Sequence, residues 1–234
     1  MSQGQRGASS SPAAAPLECV ELQTHPQPDA SILWLHGLGA DGFDFVPLVR
    51  ELQALGAPAA RYVFPHAPMR PVTINGGYVM RAWYDILGVE IDRREDPDGI
   101  RQSQAQVEAL IERELARAIP RSRIVLAGFS QGGAMTLQVG LRQPEPLAGL
   151  IVLSAYLPLA AAAGSESTAA GRAIPIFMAH GRDDTVIPIG RAHASRDALA
   201  ALGCRVQWHE YAIPHSLSED EVRDLAQFLT EALK

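Results

Sequence analysis

Residues 124–134 read IVLAGFSQGGA, and this stretch decides the fold. The apolar run 124–127 is typical of a buried strand, and residues 134–141 have a helical pattern. Between them lies G-x-S-x-G, a strand-to-helix turn that exposes the serine hydroxyl. Glycine two positions either side of Ser130 lets strand and helix pass without a Cβ clash. The stretch therefore predicts a nucleophilic serine, the alternative being that its small residues only relieve crowding.

Short apolar segments alternate with helical patterns on both sides of this turn. The predicted strands are 31–36, 61–64, 123–129, 147–154, 174–179 and 205–211. The predicted helices are 43–55, 97–119, 132–141, 189–202 and 219–233. Such alternation predicts an α/β fold with a mostly parallel sheet and helices on both faces. Residues 17–22 are predicted to add an edge strand, in antiparallel orientation.

The length and composition favour one domain with a large core. The chain has 234 residues, of which 47% are hydrophobic, and it contains no internal repeat. Residues 1–16 are rich in serine, glycine, alanine and proline, and no apolar segment precedes the alanines as a secretory signal requires. We expect a disordered tail over residues 1–16 and a single domain over residues 17–234.

The charge and the cysteines exclude several classes of partner. The formal net charge is −6 without a basic run, which disfavours nucleic acid and anionic membrane surfaces. No apolar run reaches membrane-spanning length, so we expect a cytoplasmic protein without integral membrane association. Cys19 and Cys204 lack metal-type spacing, which favours a reducing compartment and leaves a single bridge between them open.

A serine hydroxyl needs a general base, and the base needs an acid that fixes its tautomer. In hydrolases with this turn, the order along the chain is Ser, acid, His. His215 follows the last predicted strand and lies on a loop, which makes it the candidate base. The acid is Asp183 or Asp184, because both follow the strand 174–179. Three other histidines end strands and are expected to hydrogen-bond the backbone near the site: His36, His66 and His180.

Two backbone N–H groups are expected to stabilise the tetrahedral oxyanion. Gln131, directly after the serine, supplies the first. The second is assigned to Leu38, in the loop HGLGADG that spans residues 36–42 after an early strand. The same loop also contains G-x-G-x-x-G, the fingerprint of a dinucleotide site. That alternative is weak, because residues 59–65 contain no acid to hold a ribose.

Two long connections, 65–96 and 156–172, are candidates for substrate recognition. The first combines turn-forming residues with large apolar side chains that could wall a pocket. The second is low in complexity, and the choice between a plain connector and a lid stays open.

Five motifs together resemble one family. They are HGLGADG at 36–42, FPHAP at 64–68, MRAWYD at 80–85, GFSQGGA at 128–134 and HGRDDTVIP at 180–188. With these motifs the chain resembles, from residue 32 to residue 233, the carboxylesterase and acyl-protein thioesterase group of small α/β-hydrolases, also called phospholipase/carboxylesterase. The variant at 82–85 is most similar to the bacterial carboxylesterase branch.

The resemblance implies roles for particular residues. The family pattern H-G-x-x-D, counted from His180, places the acid at Asp184. It also implies that Leu38 and Gln131 form the oxyanion hole. Trp83 is implied to lie near the acyl pocket, and we expect Phe129 to line that pocket as well.

We therefore expect a serine hydrolase that cleaves carboxylic esters or thioesters of small or medium acyl chains through an acyl-enzyme. The expected partner is the small-molecule substrate, with no cofactor and no metal, and a homodimer stays open. The alternative within the class is an acyl-protein thioesterase or lysophospholipase. Outside the class, the alternative is a non-catalytic or dinucleotide-binding module.

Overall fold

A seven-stranded sheet runs through the computed structural model, which describes residues 16–88 and 95–234. Its strands, in chain order, are β1 (Cys19–Gln23), β2 (Ser31–Leu35), β3 (Arg61–Pro65), β6 (Ile124–Phe129), β7 (Gly149–Leu153), β8 (Ile176–Gly181) and β9 (Val206–Tyr211). A separate antiparallel hairpin consists of β4 (Met69–Val72) and β5 (Tyr78–Arg81). In space the sheet order is β1-β3-β2-β6-β7-β8-β9.

Six of the seven strands run parallel to one another, and only β1 is antiparallel. β1 pairs with β3 at one edge of the sheet, as the sequence predicts for residues 17–22. The inner strands β2 and β7 are buried along their whole length, which is typical of parallel strands covered on both faces. The predicted fold class, an α/β-hydrolase architecture, is confirmed.

The helices cover the two faces of the sheet. They are α1 (Leu48–Ala54), α2 (Pro97–Ala116), α3 (Gln131–Gly140), α4 (Ala160–Glu166), α5 (Ala169–Ala173), α6 (Ile189–Ala201) and α7 (Glu219–Ala232). One hydrophobic core lies between the sheet and α2, α3 and α6, and a second lies between the sheet and α1 and α7. Side chains of β2 alternate between them: Leu33 and Leu35 enter the first core, whereas Ile32 and Trp34 enter the second.

The first predicted helix is shorter than expected. It begins at Leu48 and not at residue 43, because residues 41–47 form successive turns. The Asp41 carboxylate accepts a hydrogen bond from the Phe43 N–H at 2.8 Å, which is the local bond that favours a turn over a helix. The turns keep the chain close to the end of β2, where it borders the site.

Both long connections contain regular structure that the sequence pattern does not reveal. The first carries the hairpin of β4 and β5, and the second carries α4 and α5. Residues 89–94 of the first connection, and residues 1–15 of the predicted tail, lie outside the described residues.

Candidate active site

Ser130 lies on the sharp turn between β6 and α3. Its backbone has φ 55° and ψ −119°, a conformation that is strained for a residue with a side chain. A Cβ at Gly128 would overlap the backbone of Gly132, and a Cβ at Gly132 would overlap the carbonyl of Leu35. The Ser130 N–H donates to the Leu153 carbonyl at 2.8 Å, which anchors the turn to β7. Steric overlap therefore explains why positions 128 and 132 are glycine, as their spacing predicts.

His215 lies on the loop between β9 and α7 and faces the serine. Its Nε2 is 3.0 Å from the Ser130 Oγ, and its Nδ1 is 2.6 Å from the Asp184 Oδ2. The imidazole packs against the Phe129 ring with centroids 4.7 Å apart. Packing on one side and the carboxylate at Nδ1 fix the ring orientation, so Nε2 is presented to the hydroxyl.

The two adjacent aspartates have different environments. Asp184 is buried, with its side chain fully shielded from solvent, whereas Asp183 is exposed. The Asp184 Oδ1 accepts hydrogen bonds from the N–H groups of Val186 and Ile187, both at 2.8 Å, which leaves Oδ2 for His215. The structure therefore brings Asp184, and not Asp183, to the histidine.

Leu38 and Gln131 both border the space above the serine. Gln131 is the first residue of α3, where backbone N–H groups have no acceptor within the helix. Among the hydrogen bonds of residues 16–88 and 95–234, none uses the N–H of Leu38 or of Gln131. The two donors are thus free to bind an anion beside the serine, as an oxyanion hole requires.

The side chain of Gln131 has a role that the motif does not predict. Its Nε2 donates to the Tyr84 carbonyl at 2.7 Å, and its Oε1 accepts from the Trp83 N–H at 2.8 Å. The amide thereby joins the turn of the serine to the segment that follows β5. Gln131 and Trp83 are 48 positions apart in the sequence, and no local pattern indicates this contact.

A cavity of about 270 Å³ opens beside the serine. Apolar side chains form most of its walls: Leu38, Ile74, Tyr84, Ile86, Phe129, Tyr156, Val186 and Ile187. Phe129 lines this cavity. Trp83 does not line the cavity itself, because it is fully buried and its Nε1–H donates to the His36 carbonyl at 2.9 Å. The indole needs that buried acceptor, and the neighbouring Tyr84 takes its place in the cavity.

Three further histidines bind the backbone around the site. Burial lowers the pKa of His36 to about 4, so its ring is neutral at pH 7. Its Nε2 accepts from the Ala67 N–H at 3.0 Å, and its Nδ1 donates to the Gly37 carbonyl at 2.7 Å. The Nδ1 of His66 accepts from the Gly42 N–H at 3.0 Å.

His180, the third, is buried beside Asp184. Its Nε2 is 2.8 Å from the Ile187 carbonyl oxygen and 3.3 Å from the Asp184 Oδ2. Burial lowers the pKa of His180, so the neutral ring donates from Nε2 toward these oxygens. The histidine thus supports the carboxylate that orients His215.

The glycine-rich loop 36–42 is engaged within the protein. The Gly39 N–H donates to the Arg81 carbonyl at 2.9 Å, and the Gly42 N–H donates to His66. A dinucleotide site would need such N–H groups for the pyrophosphate. The glycine spacing therefore serves packing against β3 and β5.

In the chain outside residues 1–15 and 89–94, no group of histidine, cysteine, aspartate or glutamate side chains is arranged to hold a metal ion. No helix within that same part combines the length and apolarity that crossing a membrane requires.

The geometry can support acyl transfer by a serine. A hydroxyl within hydrogen-bond distance of an imidazole, an imidazole bound to a buried carboxylate, and two N–H donors beside the hydroxyl are the parts that this chemistry requires. The residues that carry the hydroxyl, the imidazole and the two N–H donors all line the apolar cavity.

Comparison with known proteins places the chain among enzymes. It is 36% identical over 222 residues to acyl-protein thioesterase 1 of Mycosarcoma maydis, which covers 88% of this chain and 92% of that protein. It is 33% identical over 224 residues to acyl-protein thioesterase 1 of Yarrowia lipolytica, which covers 94% and 99%. These relatives are eukaryotic, so they do not support the predicted bacterial carboxylesterase branch, which rested on four residues.

Solved structures give the same result. SOBER1 of Arabidopsis thaliana superposes with a TM-score of 0.82 at 30% identity, covering 88% of this chain and 99% of that one. Acyl-protein thioesterase 2 of Zea mays superposes with a TM-score of 0.80 at 26% identity, covering 93% and 99%. Residues 18–233 match the phospholipase/carboxylesterase family. The chain therefore belongs to the phospholipase/carboxylesterase family of α/β-hydrolases.

Proposed function

We propose that the protein is a serine hydrolase that cleaves acyl thioesters and carboxylic esters, with Ser130, His215 and Asp184 as its catalytic triad. The observation that carries the proposal is the continuous chain of hydrogen bonds from the Ser130 Oγ through His215 to the buried Asp184. Ser130 and His215 border an apolar cavity large enough for an acyl group.

In the first half of the reaction, the Ser130 Oγ attacks the acyl carbonyl carbon, and the His215 Nε2 takes the hydroxyl proton. Asp184 holds Nδ1–H and stabilises the imidazolium that forms. The N–H groups of Leu38 and Gln131 bind the tetrahedral oxyanion. The proton on Nε2 then passes to the leaving thiol or alcohol as its bond to the carbonyl carbon breaks.

In the second half, water replaces the leaving group. His215 Nε2 removes a proton from the water, which attacks the acyl-enzyme carbonyl, and the proton then returns to the Ser130 Oγ. The products are a carboxylic acid and the free enzyme. No residue outside the triad and the two N–H donors is needed for proton balance.

The names of the relatives favour thioesters over carboxylic esters as the substrate class. The curated proteins that the chain matches at 33–36% identity are named acyl-protein thioesterases. A preference for carboxylic esters, or for lysophospholipids, is the second candidate, because the family itself is described as phospholipase/carboxylesterase. A matched pair of substrates, one acyl group joined to a thiol or to an alcohol, distinguishes these candidates by their kcat/KM.

Labelling with a fluorophosphonate tests the catalytic assignment directly. Only an activated serine forms the covalent adduct, and we expect it on Ser130 alone. The control is Ser130→Ala, which should show neither adduct nor turnover. Folded protein without an adduct on Ser130 would favour a non-catalytic binding module and overturn the proposal.

A further inference from the structure

A second cavity lies next to the wall of the active-site cavity, since a residue that lines it contacts Tyr156. Its volume is about 260 Å³, and it opens at the surface near the start of α6. Its lining combines small apolar side chains with one ion pair: Glu95, Leu157, Ala160, Arg191, Ala194, Ser195 and Ala198. It shares no lining residue with the active-site cavity.

Two side chains that contact each other belong to the walls of different cavities. The ring of Tyr156 lines the active-site cavity, and Arg191 lines the second one. The Arg191 Cζ lies 3.5 Å from the centroid of the Tyr156 ring, so the guanidinium stacks on its rear face. The partition is therefore one aromatic ring and one guanidinium thick, with no backbone between these groups.

Polar contacts hold this partition in place. The Tyr156 hydroxyl is 2.8 Å from the Tyr84 hydroxyl, a hydrogen bond between two buried side chains of the cavity wall. On the other side, Arg191 is 3.7 Å from a Glu95 carboxylate oxygen. The second carboxylate oxygen of Glu95 accepts from the Leu159 N–H at 2.8 Å, which ties the partition to the backbone after β7.

We propose that Tyr156 closes the acyl end of the active-site cavity and thereby sets the longest acyl group that the enzyme hydrolyses. The inference rests on the proposed function. Ile74, Tyr84 and Ile86 share this cavity with Tyr156 and make its wall apolar, as an alkyl chain requires. The cavity volume of about 270 Å³ lies at the small end of the range for ligand pockets, roughly 300 Å³ and above, which favours a short acyl group.

Truncation of the ring should lengthen the active-site cavity as far as the Arg191 side chain. In Tyr156→Ala the acyl chain can extend into the space that the ring leaves, and each methylene that becomes buried should raise kcat/KM roughly fourfold. Four added carbons then correspond to a gain of about 250-fold for the longer substrate, relative to the wild-type enzyme. Tyr156→Phe is the matched control, because it removes the hydroxyl and keeps the ring.

The experiment measures kcat/KM for p-nitrophenyl esters of graded acyl length on the wild type and both variants. We expect the optimum to move to longer acyl chains in Tyr156→Ala and to stay in place in Tyr156→Phe. An unchanged optimum in Tyr156→Ala overturns the inference, and so does an equal shift in both variants. A shift in a second series, with graded alcohols and a fixed acetyl group, also overturns it, because the cavity would then hold the leaving group.

A binding measurement separates this inference from the proposed function. Calorimetry with fatty acids of graded length, in the Ser130→Ala background, reports the cavity length without turnover. Tyr156→Ala should tighten binding of the longer acids only, and Tyr156→Leu replaces it if the alanine variant does not fold. If wild-type protein fails to react with the fluorophosphonate but this binding pattern appears, then the hydrolase assignment fails while the role of Tyr156 stands. If labelling succeeds and the binding pattern is absent, then the role of Tyr156 is refuted alone.

Discussion

Replacement of Asp184 by asparagine tests the triad at the level of single hydrogen bonds. The Oδ1 position receives two backbone N–H groups, so the amide oxygen must occupy it and the amide NH₂ must face His215. The opposite orientation would point NH₂ at two donors and leave both without an acceptor. The structure therefore dictates the orientation of the asparagine.

This orientation forces the wrong tautomer on the histidine. An NH₂ at the Oδ2 position donates to the His215 Nδ1, so the ring proton must move to Nε2, where it faces Ser130. An imidazole with a proton on Nε2 cannot accept the proton of the hydroxyl. The known cost of this tautomer in serine proteases is about 10⁴-fold in kcat, which corresponds to roughly 5 kcal/mol.

The assay is the steady-state rate of p-nitrophenyl ester hydrolysis, together with the rate of fluorophosphonate labelling. Asp183→Asn is the matched control, because this neighbour is exposed and should retain nearly all activity. Thermal unfolding of both variants shows whether a loss is chemical or structural. Equal losses in the two variants, or a larger loss at Asp183, would refute the reasoning.

Three further predictions concern the nucleophile and the stability of the fold. Ser130→Ala should lower kcat by about 10⁶-fold with little change in unfolding temperature, measured by turnover and calorimetry. Gly132→Ala should lower the free energy of unfolding by roughly 1–3 kcal/mol or more, because the new Cβ overlaps the Leu35 carbonyl. Its control is Gly190→Ala, which adds a Cβ in open space within α6 and should raise the free energy of unfolding by about 0.5–1 kcal/mol. Burial raises the pKa of Glu221 from 4.5 to about 7, so between these pH values the folded chain keeps a proton that the unfolded chain releases. The free energy of unfolding should therefore decrease as the pH rises from 4.5 to 7, by at most roughly 3 kcal/mol. Glu221→Gln should flatten that part of the curve in denaturant titrations, and an unchanged curve would contradict the assignment.

The parallel strands could be predicted because their signal is local. Buried strands such as β2 and β7 are continuous apolar runs, and turn residues mark their ends. The serine turn could also be predicted from the sequence, because steric overlap requires glycine at positions 128 and 132. The order of acid and base along the chain follows from the topology, since both lie on loops at the same edge of the sheet.

The hairpin and the partition could not be predicted, because their causes are not local. β4 contains Pro71, which argues against a strand, and its turn depends on left-handed Gly76 and Gly77. Tyr84 and Tyr156 are far apart in sequence, and no periodic pattern relates them. The hydrogen bond from Trp83 to the His36 carbonyl is likewise a tertiary contact that no local pattern indicates.

The side-chain amide of Gln131 limits which segments can replace the residues that follow β5. Its backbone N–H lies beside the serine, while its side chain forms paired hydrogen bonds with Trp83 and Tyr84, as a neighbouring strand would. A chimera that imports another recognition segment after β5 must therefore reproduce two main-chain groups in register with that glutamine. The same residue therefore affects both substrate preference and reaction rate, and exchange of the segment alone should alter both.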